Sequence, residues 1–122
     1  MIVGLGGIAG HPYAAEAEET LGHMGRVHMI QDLSAVTAAC MMVKKTVFFE
    51  VGKFEPEYAV AFNDVDLCMK IRKAGYLIVY TPYARLTHYE SKSRGLEDSR
   101  EKVKRFDSEV ALFEERWGKE LE

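Results

Sequence analysis

The apolar residues of this chain fall into groups whose spacing changes along its length. The most regular group is C-terminal, where Val103, Phe106, Val110, Phe113 and Trp117 recur alternately three and four residues apart among charged neighbours. That spacing draws one apolar stripe down an amphipathic helix ended by Gly118, and such a stripe must dock on something, its own sheet being the expected surface. Upstream, VTAACMMV at 36–43 is short, continuous and apolar. It suits a central strand buried on both faces better than a two-turn helix. Lys45–Glu50 then reads as a short helix that Gly52 stops.

The stretch from 63 to 81 is the most informative. Asn63 can cap a helix whose first turn holds Asp64 and Asp66, both favoured near the positive N-terminal end, and Gly75 stands where a left-handed terminal residue is wanted. YLIVYT at 76–81, β-branched and aromatic, reads as a strand ended by Pro82, so helix and strand pack as an α/β unit on a sheet. Residues 84–95 are polar and irregular. Between 1 and 31 the glycines interrupt every period and leave only a short helix around Ala14–Leu21.

Composition narrows the classes. A chain of 122 residues, 48% hydrophobic and 29% charged, is one ordinary domain over 1–122, short for an enzyme with two substrates. Its net charge of -3 argues against a nucleic-acid partner. No stretch approaches the ~20 apolar residues of a membrane span and the N-terminus lacks a basic leader, so a cytoplasmic chain is expected. Cys40 and Cys68 each stand alone in apolar surroundings and are expected to be buried free thiols; the histidines have no ligand spacing that would add them to a zinc site.

Three constellations could carry chemistry. Gly4, Gly6 and Ala9 match the spelling of a dinucleotide fingerprint, but only three residues precede them and Pro12 follows where a helix should run, so the glycines read as turns. Asn63, Asp64 and Asp66 stand at the mouth of a helix. Capping alone would explain them, yet Asp64 and Asp66 are two apart and point to different faces, so one can look into a cleft while the other supports the helix. A carboxylate in that position suits a base that takes a proton from a hydroxyl. Third, Thr87–Arg94 gathers an imidazole, hydroxyls and two cations, the groups that hold a diphosphate and a divalent cation, just beyond a strand end where α/β folds bind ligands.

The run AFNDVDLCMKIRKAGYLIVYTPYARLTHYESKSRG, preceded by DLSAVTAACMMVKKTVFFEVGKFEPEYAV, resembles the second half of bacterial family 2 glycosyltransferases, closest in texture to rhamnosyltransferase-like members. The features occur in order from about Asp32 to Gly95, and more loosely to Trp117. The resemblance implies an α/β chain with part of the glycosyltransferase A (nucleotide-diphospho-sugar transferase) fold, a small mixed sheet flanked by helices, and a long C-terminal amphipathic helix. It implies inverting transfer of a sugar from a UDP- or dTDP-linked donor to a saccharide or lipid-linked acceptor in cell-surface polysaccharide synthesis. Asp64 would be the catalytic base. Asn63, Asp66, Thr37 and Ala39 would contact the acceptor, with Asn63 standing where the family often has Glu. Ser91, Ser93 and Arg94 would hold the donor diphosphate, and His88 the Mn²⁺ or Mg²⁺ ion.

The family's nucleotide-binding half, with its Asp-x-Asp motif, has no counterpart before Asp64, so the chain is expected to be the acceptor-side half, inactive alone. An exposed sheet edge would then invite a homodimer, and the inner face of the membrane is a compatible location. Two other readings stay open. A stand-alone carbohydrate- or partner-binding module would display an aromatic platform, for which Tyr58, Phe62, Tyr83 and Tyr89 are candidates. An interaction protein would dimerise through the Phe106 to Trp117 stripe.

Overall fold

The computed structural model describes residues 1–3, 9–10, 23–59, 61–87 and 100–121. The fold is organised around the helix that the acidic cluster opens. α1 spans Lys45–Glu50, as its spacing predicts, and α2 spans Asn63–Lys73. α2 buries Val65, Asp66, Leu67, Cys68, Met69 and Ile71, too many sides for a surface helix, which makes it a core element. It ends as expected: Gly75 sits at φ 91°, its N–H donates to Arg72 O at 2.9 Å, and the Tyr76 N–H donates to Ile71 O at 3.2 Å.

Its start differs from the expectation. The cap is Phe62 rather than Asn63, in a left-handed conformation (φ 62°, ψ -1°), with its carbonyl accepting the Asp66 N–H at 2.8 Å. Such a backbone costs a non-glycine residue about 1–2 kcal/mol. The Phe62 ring offsets that cost by packing against Phe106 and Phe113, with ring centres 5.4 and 5.7 Å apart.

The amphipathic stripe forms α3, Arg100–Trp117, followed by a 3₁₀ turn at Gly118–Glu120. Phe113 and Trp117 are buried, whereas Val103 and Phe106 remain 44% and 43% exposed. The stripe therefore docks through its C-terminal half. Its surface is α2 and the segment before it, not a sheet: Phe113 meets Tyr58 and Phe62, and the Trp117 indole reaches Asp66. Glu109, buried beside the stripe, accepts the Ala59 and Ala61 N–H groups at 2.9 and 2.7 Å.

Among the described residues the sheet structure is smaller than expected and antiparallel, with no mixed sheet. β1 (Ile2–Val3) pairs with β2 (Ala9–Gly10), and β3 (Gln31–Asp32) pairs with β4 (Val79–Tyr80). YLIVYT thus contributes only its Val79–Tyr80 pair, extended by a 2.8 Å bond from the Leu33 N–H to Ile78 O. Ala9–Gly10, the end of the stretch spelled like a dinucleotide fingerprint, is a strand returning on Ile2–Val3, not the helix such a fingerprint needs there. The expected helix at Ala14–Leu21 lies outside the described residues.

The run 36–43 is not a central strand. The extended Thr37 caps a 3₁₀ turn at Ala38–Cys40, and the chain is extended again at Met41. The turn wins because side-chain oxygens take the N–H groups that a ladder would use, and because the run is not buried on both faces: Cys40 is exposed and Met42 wholly so. Cys40 is accordingly not the buried thiol it was expected to be, whereas Cys68 is. Just before the turn, Ala35 exchanges both backbone bonds with Met1, at 2.8 and 3.4 Å, as an antiparallel pair does.

Candidate functional site

The left-handed Phe62 swings the chain so that α2 begins against the turn at Ala38–Cys40. There the half-buried Asp64 carboxylate is gripped by two backbone donors: the Ala38 N–H at 3.0 Å to Oδ2 and the Val65 N–H at 2.9 Å to Oδ1. The turn is itself fixed by Thr37 Oγ1, which accepts the Ala39 N–H at 3.3 Å. Asp64, Thr37 and Ala39, far apart in sequence, are thereby brought to one place. Asn63 is half-buried beside them, and among the described residues its side-chain amide takes no partner. A carboxylate held by two N–H groups keeps lone pairs for a further donor, such as a hydroxyl. Beneath it, the Cys68 Sγ contacts Val36 O at 3.7 Å, and burial pushes this thiol up, so it is an inert part of the floor.

Asp66 faces the other way. Its carboxylate is fully buried, with Oδ1 accepting the Trp117 indole N–H at 2.8 Å and the Arg116 guanidinium at 3.3 Å. Oδ2 makes no hydrogen bond of good geometry, but the Lys70 ammonium lies 3.1 Å away and meets its charge. Arg116 also pairs with Glu55 at 3.1 Å. Asp66, expected at the acceptor side, has no exposed surface to offer a ligand; its contacts join α2 to α3.

His88, Ser91, Ser93 and Arg94, the expected metal and diphosphate residues, lie outside the described residues, as does Tyr89. Among the described residues no three metal-competent side chains converge, and these residues therefore supply no ligand set for Mn²⁺ or Mg²⁺. The aromatic platform of a binding module is not assembled by the described residues either. Tyr58 is buried and Phe62 is packed on α3, leaving Tyr83, 81% exposed, by itself. Among the described residues no helix is long and apolar enough to cross a membrane.

Sequence reasoning missed Glu109, Arg116 and the left-handed Phe62. Glu109 had a signal, since it falls three residues after Phe106 and four before Phe113, on the docked face of the helix. Nothing local marks the Ala38 N–H as a partner of Asp64, 26 residues away.

A carboxylate fixed at a helix mouth against a backbone turn can accept a further hydrogen bond, and the chain's relatives include an O-antigen biosynthesis protein and a rhamnosyltransferase. It is 33% identical over 95 residues to the O-antigen biosynthesis protein RfbC of Myxococcus xanthus, covering 77% of the chain and 8% of that protein. It is 37% identical over 60 residues to an N-acetylglucosaminyl-diphospho-decaprenol L-rhamnosyltransferase of Mycobacterium tuberculosis, covering 49% of the chain and 20% of that protein. A further relative, the uncharacterized protein y4gI of Sinorhizobium fredii, is 48% identical over 118 residues, or 96% of the chain and 13% of that protein. The chain thus spans a fifth or less of each relative's length. No protein-family model and no solved structure matches it. These similarities support a glycosyltransferase-like family.

Proposed function

We propose that the chain is the acceptor-side part of an inverting glycosyltransferase of family 2, which moves a sugar from a nucleoside diphosphate sugar to a hydroxyl acceptor during assembly of cell-surface polysaccharide. The observation that carries this reading is the Asp64 carboxylate, held by the Ala38 and Val65 N–H groups at the mouth of α2. The names of two relatives, an O-antigen biosynthesis protein and a rhamnosyltransferase, support it. Asp64 takes the proton of the acceptor hydroxyl, whose oxygen attacks the anomeric carbon as the bond to the diphosphate breaks. The bonding pair leaves on the nucleoside diphosphate, and attack opposite that group inverts the anomeric centre. Asn63, Thr37 and Ala39 line the acceptor side. Ser91, Ser93 and Arg94 hold the departing diphosphate, and His88 serves its divalent cation, Mn²⁺ or Mg²⁺.

The test uses the full-length protein that contains this chain, supplied with a panel of sugar nucleotides and either cation, and reads nucleoside diphosphate release. Asp64→Asn is expected to lower turnover by about 10²–10⁴-fold, the usual contribution of a general base, with the fold preserved. Unchanged turnover in a folded variant removes Asp64 from the mechanism.

A further inference from the structure

α1 and the turn after it expose apolar rings and lysine ammonium groups on one surface. Phe49 is 53% and Phe54 43% exposed, both set edge-on against the half-buried Phe48, with ring centres 6.0 and 5.5 Å away. The Lys53 ammonium lies 4.6 Å from the centre of the Phe49 ring and the Lys45 ammonium 6.0 Å from it. Gly52 (φ 88°) and Lys53 (φ 65°) are consecutive left-handed residues, and the Lys53 N–H donates back to Phe48 O at 2.9 Å. A lysine rarely adopts that backbone; here it brings the ammonium over the ring.

The charges around these rings are one-sided. Among the described residues Lys44, Lys45 and Lys53 form no ion pair, Glu55 is taken by Arg116, and the exposed Glu50, which accepts the neutral Tyr76 hydroxyl at 2.9 Å, keeps its charge, so three cations stand against one carboxylate. The apolar surface continues past Lys44 to Met42, wholly exposed, and Leu77, 70% exposed, on the rim of a groove of about 300 Å³. A chain of net charge -3 thus carries a local excess of positive charge around protruding rings, with Lys44, Lys45 and Lys53 beside the single carboxylate of Glu50. A soluble polyanion would meet the cations but leave the rings in water. An apolar protein face would cover the rings but leave the cations unpaired. An anionic phospholipid surface meets both, because its headgroups pair with ammonium groups and its interfacial layer accepts aromatic rings.

We infer that the surface of Lys44, Lys45, Phe49, Lys53 and Phe54 docks on the headgroup layer of an anionic phospholipid membrane. This docking is independent of the transfer reaction and of Asp64. The 122-residue chain is sedimented with vesicles of phosphatidylglycerol mixed with phosphatidylcholine, and with vesicles of phosphatidylcholine alone. It should bind the anionic vesicles, weakly at best the neutral ones, and be released by about 0.5 M salt. Lys44→Glu/Lys45→Glu/Lys53→Glu should weaken binding by roughly a hundredfold or more at low salt. Phe49→Trp keeps an aromatic ring in place and should shift its emission to the blue when anionic vesicles are added. Equal binding to both vesicles, undiminished binding by the folded lysine variant, or no shift in Phe49→Trp overturns the inference. So does a blue emission of the added tryptophan already present without vesicles, read as the difference from the parent protein and its buried Trp117, which would mean that protein covers the ring.

Discussion

The face of α2 turned to α3 and the mouth of α2 turned to the 38–40 turn each receive one aspartate of the same helical turn, and they treat it differently. Asp66, on the α3 side, is buried and met by Trp117, Arg116 and Lys70, so its negative charge is matched by groups that also pack. Asp64, at the mouth, is half-buried, and among the described residues its hydrogen bonds come from backbone N–H groups. An ion cluster that joins two helices is a frame, because removing a member leaves buried partners unmatched. A carboxylate oriented by backbone alone keeps its remaining lone pairs for a ligand. The helix dipole favours an acid at both positions, so it is the surroundings that separate them.

The frame side should break first and hardest. Phe113→Ala removes the fully buried ring against which Tyr58 and Phe62 pack, and should cost about 3–4 kcal/mol in urea unfolding. A loss below about 1 kcal/mol would mean that α3 is not docked through this residue. Next, Asp66→Ala leaves the Trp117 indole and Arg116 without their acceptor, and should cost about 2–3 kcal/mol. The figure stays below that of a wholly buried pair because Arg116 and Lys70 can reach water. Asp64→Asn should cost less than about 1 kcal/mol, since the amide oxygen still accepts the Ala38 N–H. Equal losses from the Asp66 and Asp64 variants would abolish the distinction between frame and mouth.

Much of the frame was legible from local pattern. α1, the Gly75 stop and the stripe of α3 follow from spacing and terminal residues, which act within a turn or two of themselves. The failures have a common cause. Residues 36–43 became a turn because the carboxylate of Asp64, 26 residues on, claims the Ala38 N–H. Glu109 bonds to backbone about 50 residues away, at Ala59 and Ala61, and the left-handed Phe62 is sustained by rings on α3. No window along the chain contains both partners of any of these. The grouping of Thr37, Ala39 and Asp64 was expected from the family resemblance, not from residue spacing, whereas the divergence of Asp64 and Asp66 follows from helical geometry alone.

On the α3 side, Tyr58 should have the smallest effect on stability. Its ring is buried against Phe113, and its hydroxyl is buried with no hydrogen-bond partner among the described residues. Burial, and then the nearby Asp66 carboxylate, push the phenol up to about 12 against the opposing pull of Arg116. The folded state therefore favours the neutral phenol more than the unfolded chain does. Its contribution is complete below the ordinary tyrosine value of about 10 and is lost as pH rises from there through about 12. Tyr58→Phe removes a hydroxyl that bonds to none of the described residues, so stability near neutrality should change by less than about 1 kcal/mol, with a gain as readily accommodated as a loss. The measurement is urea unfolding at about pH 8 and about pH 11, where the parent should lose more stability between the two than the variant does. In the Asp66→Ala background the difference between tyrosine and phenylalanine should shrink, because the carboxylate that disfavours the phenolate is gone. An unchanged difference there would mean that the Asp66 charge is spent wholly on Trp117, Arg116 and Lys70, and that burial alone acts on Tyr58.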